Sequence, residues 1–251
     1  MLLRPEADAV LAVTQPAHAW VSGQLARAWG NERFGPVEPW EEVCLAAEQH
    51  DVGMTDWELQ PTLNPKTGLP HSFMEMELAT HMGLWSHAAE RVLPQSRYAA
   101  LLVSMHGTAL YERRDLDRLS PADAERVRAF LAEQRALQRR LTPPGAAPHE
   151  IARNQRLVWT WDSLSLGLLL DWWPYELRAV PAANGTVDVA VEGIDDSTVA
   201  LDPWPFAADR VRVHAEARRL AGRYDDEAAM RSALARAPWV TLERKLRPAR
   251  P

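Results

Sequence analysis

The sequence predicts a mainly α protein: a bundle of about six helices, with a small antiparallel sheet built from an N-terminal hairpin and C-terminal strands. Three observations predict it. Between residues 14 and 172, apolar residues recur at helical spacing in segments opened by Thr, Ser or Pro and closed by Gly. After Trp173-Pro174 the texture changes to short apolar runs separated by turn pairs. The composition, 251 residues with 47% hydrophobic and 25% charged side chains, suffices for a real core.

In chain order, residues 2–4 and 9–13 read as a hairpin around the Pro5–Asp8 turn. Thr14 caps a helix that has Pro16 in its first turn and stops at Trp29, before Gly30-Asn31. A second helix runs from near Pro39 to His50 and is closed by Gly53. Thr55 to Pro70 reads as a long loop, with Pro61, Asn64-Pro65 and Gly68 as breakers. Helices follow at about 74–92, 95–110 and 120–140, the last with Ser120 as cap and Pro121 at its first position. Thr142-Pro143-Pro144-Gly145 breaks the chain before a helix at about 149–172. The tail is predicted to hold strands at Leu177–Val180, Val187–Val191, Val199–Leu201 and Trp239–Glu243, with one more helix at about 206–222. Residues 1–173 would then form a helical core with its hairpin, and 174–251 a β-rich subdomain packed on it.

Charge and cysteine usage narrow the function. Lys and Arg number 28 against 34 Asp and Glu, a net charge of −6, which disfavours a nucleic-acid or anionic-membrane partner. Residues 210–251 hold 11 basic and 5 acidic side chains, so the first 209 residues carry −12. A single cysteine excludes a disulfide framework and a Cys-based zinc finger. Acids in the first eight residues exclude a signal peptide, and the longest apolar stretch, Leu164 to Trp173, is half a membrane span. A cytoplasmic chain is expected. Dinucleotide, phosphate-loop and nucleophile-elbow motifs are absent, and Cys44 between Val43 and Leu45 reads as a core residue.

Eight histidines remain. His18 shares a helical face with Ser22, Leu25 and Trp29; His50 with Val43, Ala46 and Ala47; Asp162 with Val158, Ser165 and Leu169. His106 ends the stretch Tyr98 to His106, which is apolar nearly all round. A lone core histidine bonded to a backbone carbonyl is the commoner situation. Several histidines and carboxylates on inward faces are costly unless they are paired, and a shared metal satisfies them together.

The order of these residues resembles the HD-domain superfamily of metal-dependent enzymes, whose helical bundle supplies a His, a His-Asp pair and a later Asp. More narrowly, the chain is similar to an uncharacterised bacterial domain-of-unknown-function family. The likeness is carried by Gln15-Pro16-Ala17-His18, His50-Asp51-Val52-Gly53, Pro70 to Phe73, His81, Leu101 to Gly107 and Trp161 to Leu166. It implies that His18, His50, Asp51 and Asp162 hold one metal and that Asp51, the expected catalytic residue, bridges to a second held by His81 and His106. His87 is six residues from His81, about 240° round the helix at about 100° per residue, so both cannot aim inward. The implied cofactors are two divalent or mixed-valent transition metals, iron first, with Mn, Ni or Zn as alternatives.

Three functions are left. The Lys that follows His-Asp-x-Gly in many HD phosphohydrolases is Met54 here, and the adjacent His-His pair of the HD-GYP phosphodiesterases is missing. The remaining six-ligand pattern is similar to the di-iron oxygenases of the superfamily, such as inositol oxygenase, so oxidation of a small molecule is expected. A phosphohydrolase is the alternative, and a non-catalytic, metal-stabilised binding protein the third. Five acids against Lys66 between His50 and His81 predict a neutral or cationic substrate. Thr55, Asp56, Trp57 and Asn64, in the loop after His-Asp, and Asn154, Trp161 and Ser165, around Asp162, are the candidate substrate contacts. An oligomer is left open.

Overall fold

The computed structural model describes residues 1–249. Strands β1 (Leu2–Pro5) and β2 (Ala9–Val13) form the N-terminal hairpin, with Leu2 opposite Val13. Thr14 then accepts a hydrogen bond from the Ala17 amide and opens α1 (Gln15–Ala28). Helix α2 (Trp40–Gln49) ends at His50. Next come a short α3 (Thr55–Leu59) and a tiny hairpin, β3 (Leu63–Asn64) with β4 (Leu69–Pro70). Then follow α4 (Leu78–Ser86), α5 (Ala88–Val92), α6 (Arg97–Glu112), α7 (Pro121–Leu141) and α8 (Pro148–Leu170). Side chains of Ser96 and Ser120 cap α6 and α7. The tail contributes β5 (Tyr175–Ala182), β6 (Gly185–Gly193), β7 (Thr198–Asp202), β8 (Val211–Ala221), α9 (Glu227–Arg236) and β9 (Trp239–Pro248).

The expected fold class is overturned. The sheet is not small: it has seven strands in the order β1-β2-β8-β9-β7-β6-β5 and is curled, so the protein is not a mainly α bundle. Nor is the sheet wholly antiparallel, because β7 runs parallel to β9. The helix expected at 206–222 is instead β8, the strand that joins the N-terminal hairpin to the rest of the sheet. Residues 211–217 alternate, with Val211, Val213, Ala215 and Ala217 buried and Arg212, His214 and Glu216 exposed. Ala, Arg and Glu favour helices as isolated residues, but a period of two places them correctly only on a pleated strand. The tail's helix lies later, at α9. The expected helix at 74–92 breaks into α4 and α5 at His87, and the expected loop after Thr55 contains α3 and β3–β4.

One face of the curled sheet packs on the helices, and a single apolar cluster runs through both. Helix α1 lies between them: it packs on α2 and α8 on one side and on β8 on the other. Helix α6 packs on α2, α7 and α8. The four helices α1, α2, α6 and α8 therefore converge where the site is built. Among the described residues, no helix is long and apolar enough to cross a membrane.

Candidate metal centre

Each of those four helices delivers one part of the site. His18 lies in α1, His50 and Asp51 at the C-terminal end of α2, His106 within α6 and Asp162 within α8. All five are buried, His18 and His50 completely. His18 Nε2 is 3.1 Å from His50 Nε2 and 3.0 Å from Asp162 Oδ1, which is 3.4 Å from His50 Nε2. Asp51 Oδ2 stands 3.5 Å from His18 Nε2 and 3.6 Å from His50 Nε2. His106 Nε2 is farther out, 3.9 Å from Asp162 Oδ2.

Backbone and hydroxyl partners set which imidazole nitrogens carry protons. His50 Nδ1 lies 2.7 Å from the Ala47 carbonyl, which can only accept, so Nδ1 donates. The Ser165 hydroxyl lies 2.9 Å from the Asp162 carbonyl and 2.7 Å from His18 Nδ1, and when its proton goes to the carbonyl it accepts from that nitrogen. With both Nδ1 atoms protonated, neutral His18 and His50 present bare Nε2 atoms to each other and to a carboxylate. Three acceptors at 3.0–3.4 Å repel unless a proton or a cation lies among them. Bonds of about 2.0–2.2 Å to one ion put neighbouring ligand atoms roughly 3.0–3.5 Å apart. The donor set therefore fits a transition metal, with Ser165 and the Ala47 carbonyl orienting the rings behind it.

The same field separates the titrations. Burial opposes charging of His50, but Asp51 and Asp162 outweigh it and raise its pKa to about 9. Burial would raise Asp162, yet in the metal-free chain a proton shared with the Nε2 atoms of His18 and His50 holds it well below the usual carboxylate range. Asp51, with fewer partners, is pushed up by burial. Burial and the neighbouring His50 depress His106 to about 3.

A cavity of about 240 Å³ opens beside the cluster, walled by His18, Asp51, His106 and Asp162 and, farther out, by His81, Met54, Phe73, Met74, Met76, Trp85, Leu110, Arg114 and Leu166. His81 is on this wall but outside the close groups of ligating atoms. Trp85 Nε1–H donates to its Nε2 at 3.1 Å, and its Nδ1 hydrogen-bonds the Tyr111 hydroxyl. His106 lies between the indoles of Trp85 and Trp159, each 5.5 Å from its ring, and its Nδ1 is buried without a partner. Gly107 makes this possible: a Cβ there would stand 2.7 Å from the Trp85 ring. Gly53 similarly lets the His-Asp turn lie against the Leu84 carbonyl, 2.6 Å from where a Cβ would be.

The expected substrate contacts lie elsewhere. Thr55 donates to the Val52 carbonyl, Asp56 pairs with Arg91 on the surface, and Trp57 is off the cavity wall. Asn64 bonds Glu75, and Asn154 bonds the Glu38 carbonyl and the Tyr98 hydroxyl beside a different cavity. Trp161 is core, packed on Trp29 at 5.8 Å, while Ser165 supports His18. Nor do the acids after His50 form a rim. Apart from Asp51 none lines the cavity: Asp56 pairs with Arg91, Glu58 with the Met1 amino group at 2.7 Å, Glu75 closes a capping box, and Glu77 stands exposed ahead of α4. Sequence reasoning missed Trp85, Tyr111, Leu110 and Arg114. Helical spacing could have found three of them: Trp85 follows His81 by four residues, and Leu110 and Arg114 follow His106 by four and eight.

The family described as "Protein of unknown function (DUF3891)" matches residues 1–222. No curated protein and no solved structure matches the chain.

Proposed function

The chain belongs to the DUF3891 family, and we propose that it is a metal-dependent enzyme that hydrolyses a small molecule held in the cavity beside the His/Asp cluster. The observation that carries this is the convergence of the His18 and His50 Nε2 atoms on Asp162, at spacings that match the ligands of one ion. The succession His18, His50-Asp51, Asp162 on separate helices also resembles the HD superfamily. His18, His50, Asp51 and Asp162 would hold the ion, which when bound supplies Lewis acidity and a more acidic water. The chain's own residues do the rest. Ser165 and the Ala47 carbonyl orient the rings so that their Nε2 atoms face the site, and the indoles of Trp85 and Trp159 keep water from the back of His106. Met54, Met74 and Met76 offer an apolar bed whose thioethers suit hydrolysis better than oxygen activation, because methionine oxidises readily.

The oxygenase reading keeps one observation in its favour. His50, Asp51 and His106 make a second close donor group on the cavity side of the first, which a second ion, such as iron, could use. Metal analysis tests both. After dialysis the purified chain should retain about one equivalent or more of a transition metal, and Asp162→Asn should retain less than about a tenth of that. Wild-type protein that holds no metal would sink both readings. Mixed-valent iron with oxygen uptake would select the oxygenase, and ester cleavage without oxygen uptake the hydrolase.

A further inference from the structure

We infer that Arg114 anchors an anionic group carried on an apolar body, so that the molecule bound in the cavity is an amphiphilic anion with a carboxylate or phosphate. This rests on the proposed function for its site and goes beyond it in naming the ligand class. The cavity wall supplies the first argument. Its only carboxylates, Asp51 and Asp162, face the histidine cluster, and much of the remainder is Met, Phe and Leu. Among the described residues that line it, Arg114 is the one guanidinium.

That guanidinium is free. No carboxylate of the described residues lies within 4.0 Å of it, whereas Arg91, Arg219 and Arg231 are all paired. Arg114 instead sits 5.3 Å over the Tyr111 ring, on the His81 side of the cavity. A position just past the C-terminus of α6 accounts for a positive residue there, but not for its reach onto the wall of a cavity.

The surroundings reinforce the sign. An adjoining groove of about 360 Å³ shares Leu166 with the cavity and carries Arg113, stacked 4.6 Å over Trp159, Arg156, and Arg178 paired with the groove's one acid, Glu176. Arg156 is bonded to the carbonyls of Arg178 and Ala179 rather than to an acid. An anion at Arg114 would meet a planar donor fork in an excess of positive charge.

The test is calorimetric titration of the full chain, kept metal-free with chelator so that no ion competes for the anion. The probes are hexanoate, hexyl phosphate and hexylammonium. Binding of hexanoate or hexyl phosphate, weakened about tenfold or more in Arg114→Gln and largely kept in Arg114→Lys, is the expected result. The stronger of the two tells carboxylate from phosphate. Equal binding by hexylammonium, anion binding unchanged in Arg114→Gln, or no binding of either anion would overturn the inference. Metal content of Arg114→Gln is measured alongside: loss of the anion site with metal retained, or absence of metal with the anion site intact, separates this inference from the metal reading.

Discussion

Three histidines that start from the same ordinary pKa are driven apart by their surroundings. Burial favours the neutral form in all three. Only His50 stands against two carboxylates close enough to reverse it, so it rises to about 9 while His81 falls to about 4 and His106 to about 3. For His81 the second cause is the charge of Arg114. Its folded pKa lies below the ordinary value of about 6.5, so the unfolded chain binds protons more readily between about 6.5 and 4. The resulting stability is complete above that window and is lost as pH falls through it. Thermal melts of the metal-free chain from pH 7.5 to 4.5 should therefore fall with pH, and His81→Asn should show a shallower slope; parallel slopes would refute the assignment. At this scale the sequence was informative. His18, His50, His106 and Asp162 were legible because each is a polar residue on an otherwise apolar helical face, and Asp51 because it adjoins His50. The outer wall was less so, since Met54, Met74 and Arg114 are unremarkable surface or core types until a cavity forms between them.

At the scale of elements, most helices were visible in caps and in 3.6-residue spacing, as Ser96, Ser120 and Thr14 show. Strand β8 was not. Its alternation was there to be seen, but helix-favouring residues masked it until pairing with β2 and β9 satisfied its backbone on both sides. Helix α6 shows how one element serves a site: it carries His106, Leu110 and the flanking Arg114 along one face and clears room for Trp85 at Gly107. Gly107→Ala should cost about 1–3 kcal/mol through overpacking, a drop in Tm of roughly 2–12 °C for a chain of this size. Because Trp85 flanks His106 and bonds His81, its fluorescence should shift in the same variant. An unchanged spectrum and Tm would show that the contact relaxes without cost.

Across the whole molecule, the sheet and the helical layer are tied at one buried cation. Arg244 on β9 donates to the Leu168 carbonyl at 2.8 Å and to the Asp196 carbonyl at 2.9 Å, pairs with Asp171 just past the end of α8, and lies 5.5 Å from the Trp173 ring. Arg244→Met keeps the stem but leaves these acceptors without their donor, so a loss of about 2–4 kcal/mol in urea unfolding is expected. A loss under about 0.5 kcal/mol would mean that water replaces the guanidinium, as at an ordinary surface position.

The sequence by itself marked which imidazoles and carboxylates would turn inward and meet, because polar residues on apolar helical faces are carried into the core with them. It also determined most helix starts, since a cap is a local hydrogen bond. The extent of the sheet, the role of β8 and the charge of the cavity mouth were decided only in the tertiary structure. Strand pairing, and the choice of partner for each Asp, Glu and Arg, depend on residues 20 to more than 200 positions away, as in Arg27 with Glu48 and Arg219 with Glu6. Such choices are made when the chain packs, and no local pattern records them.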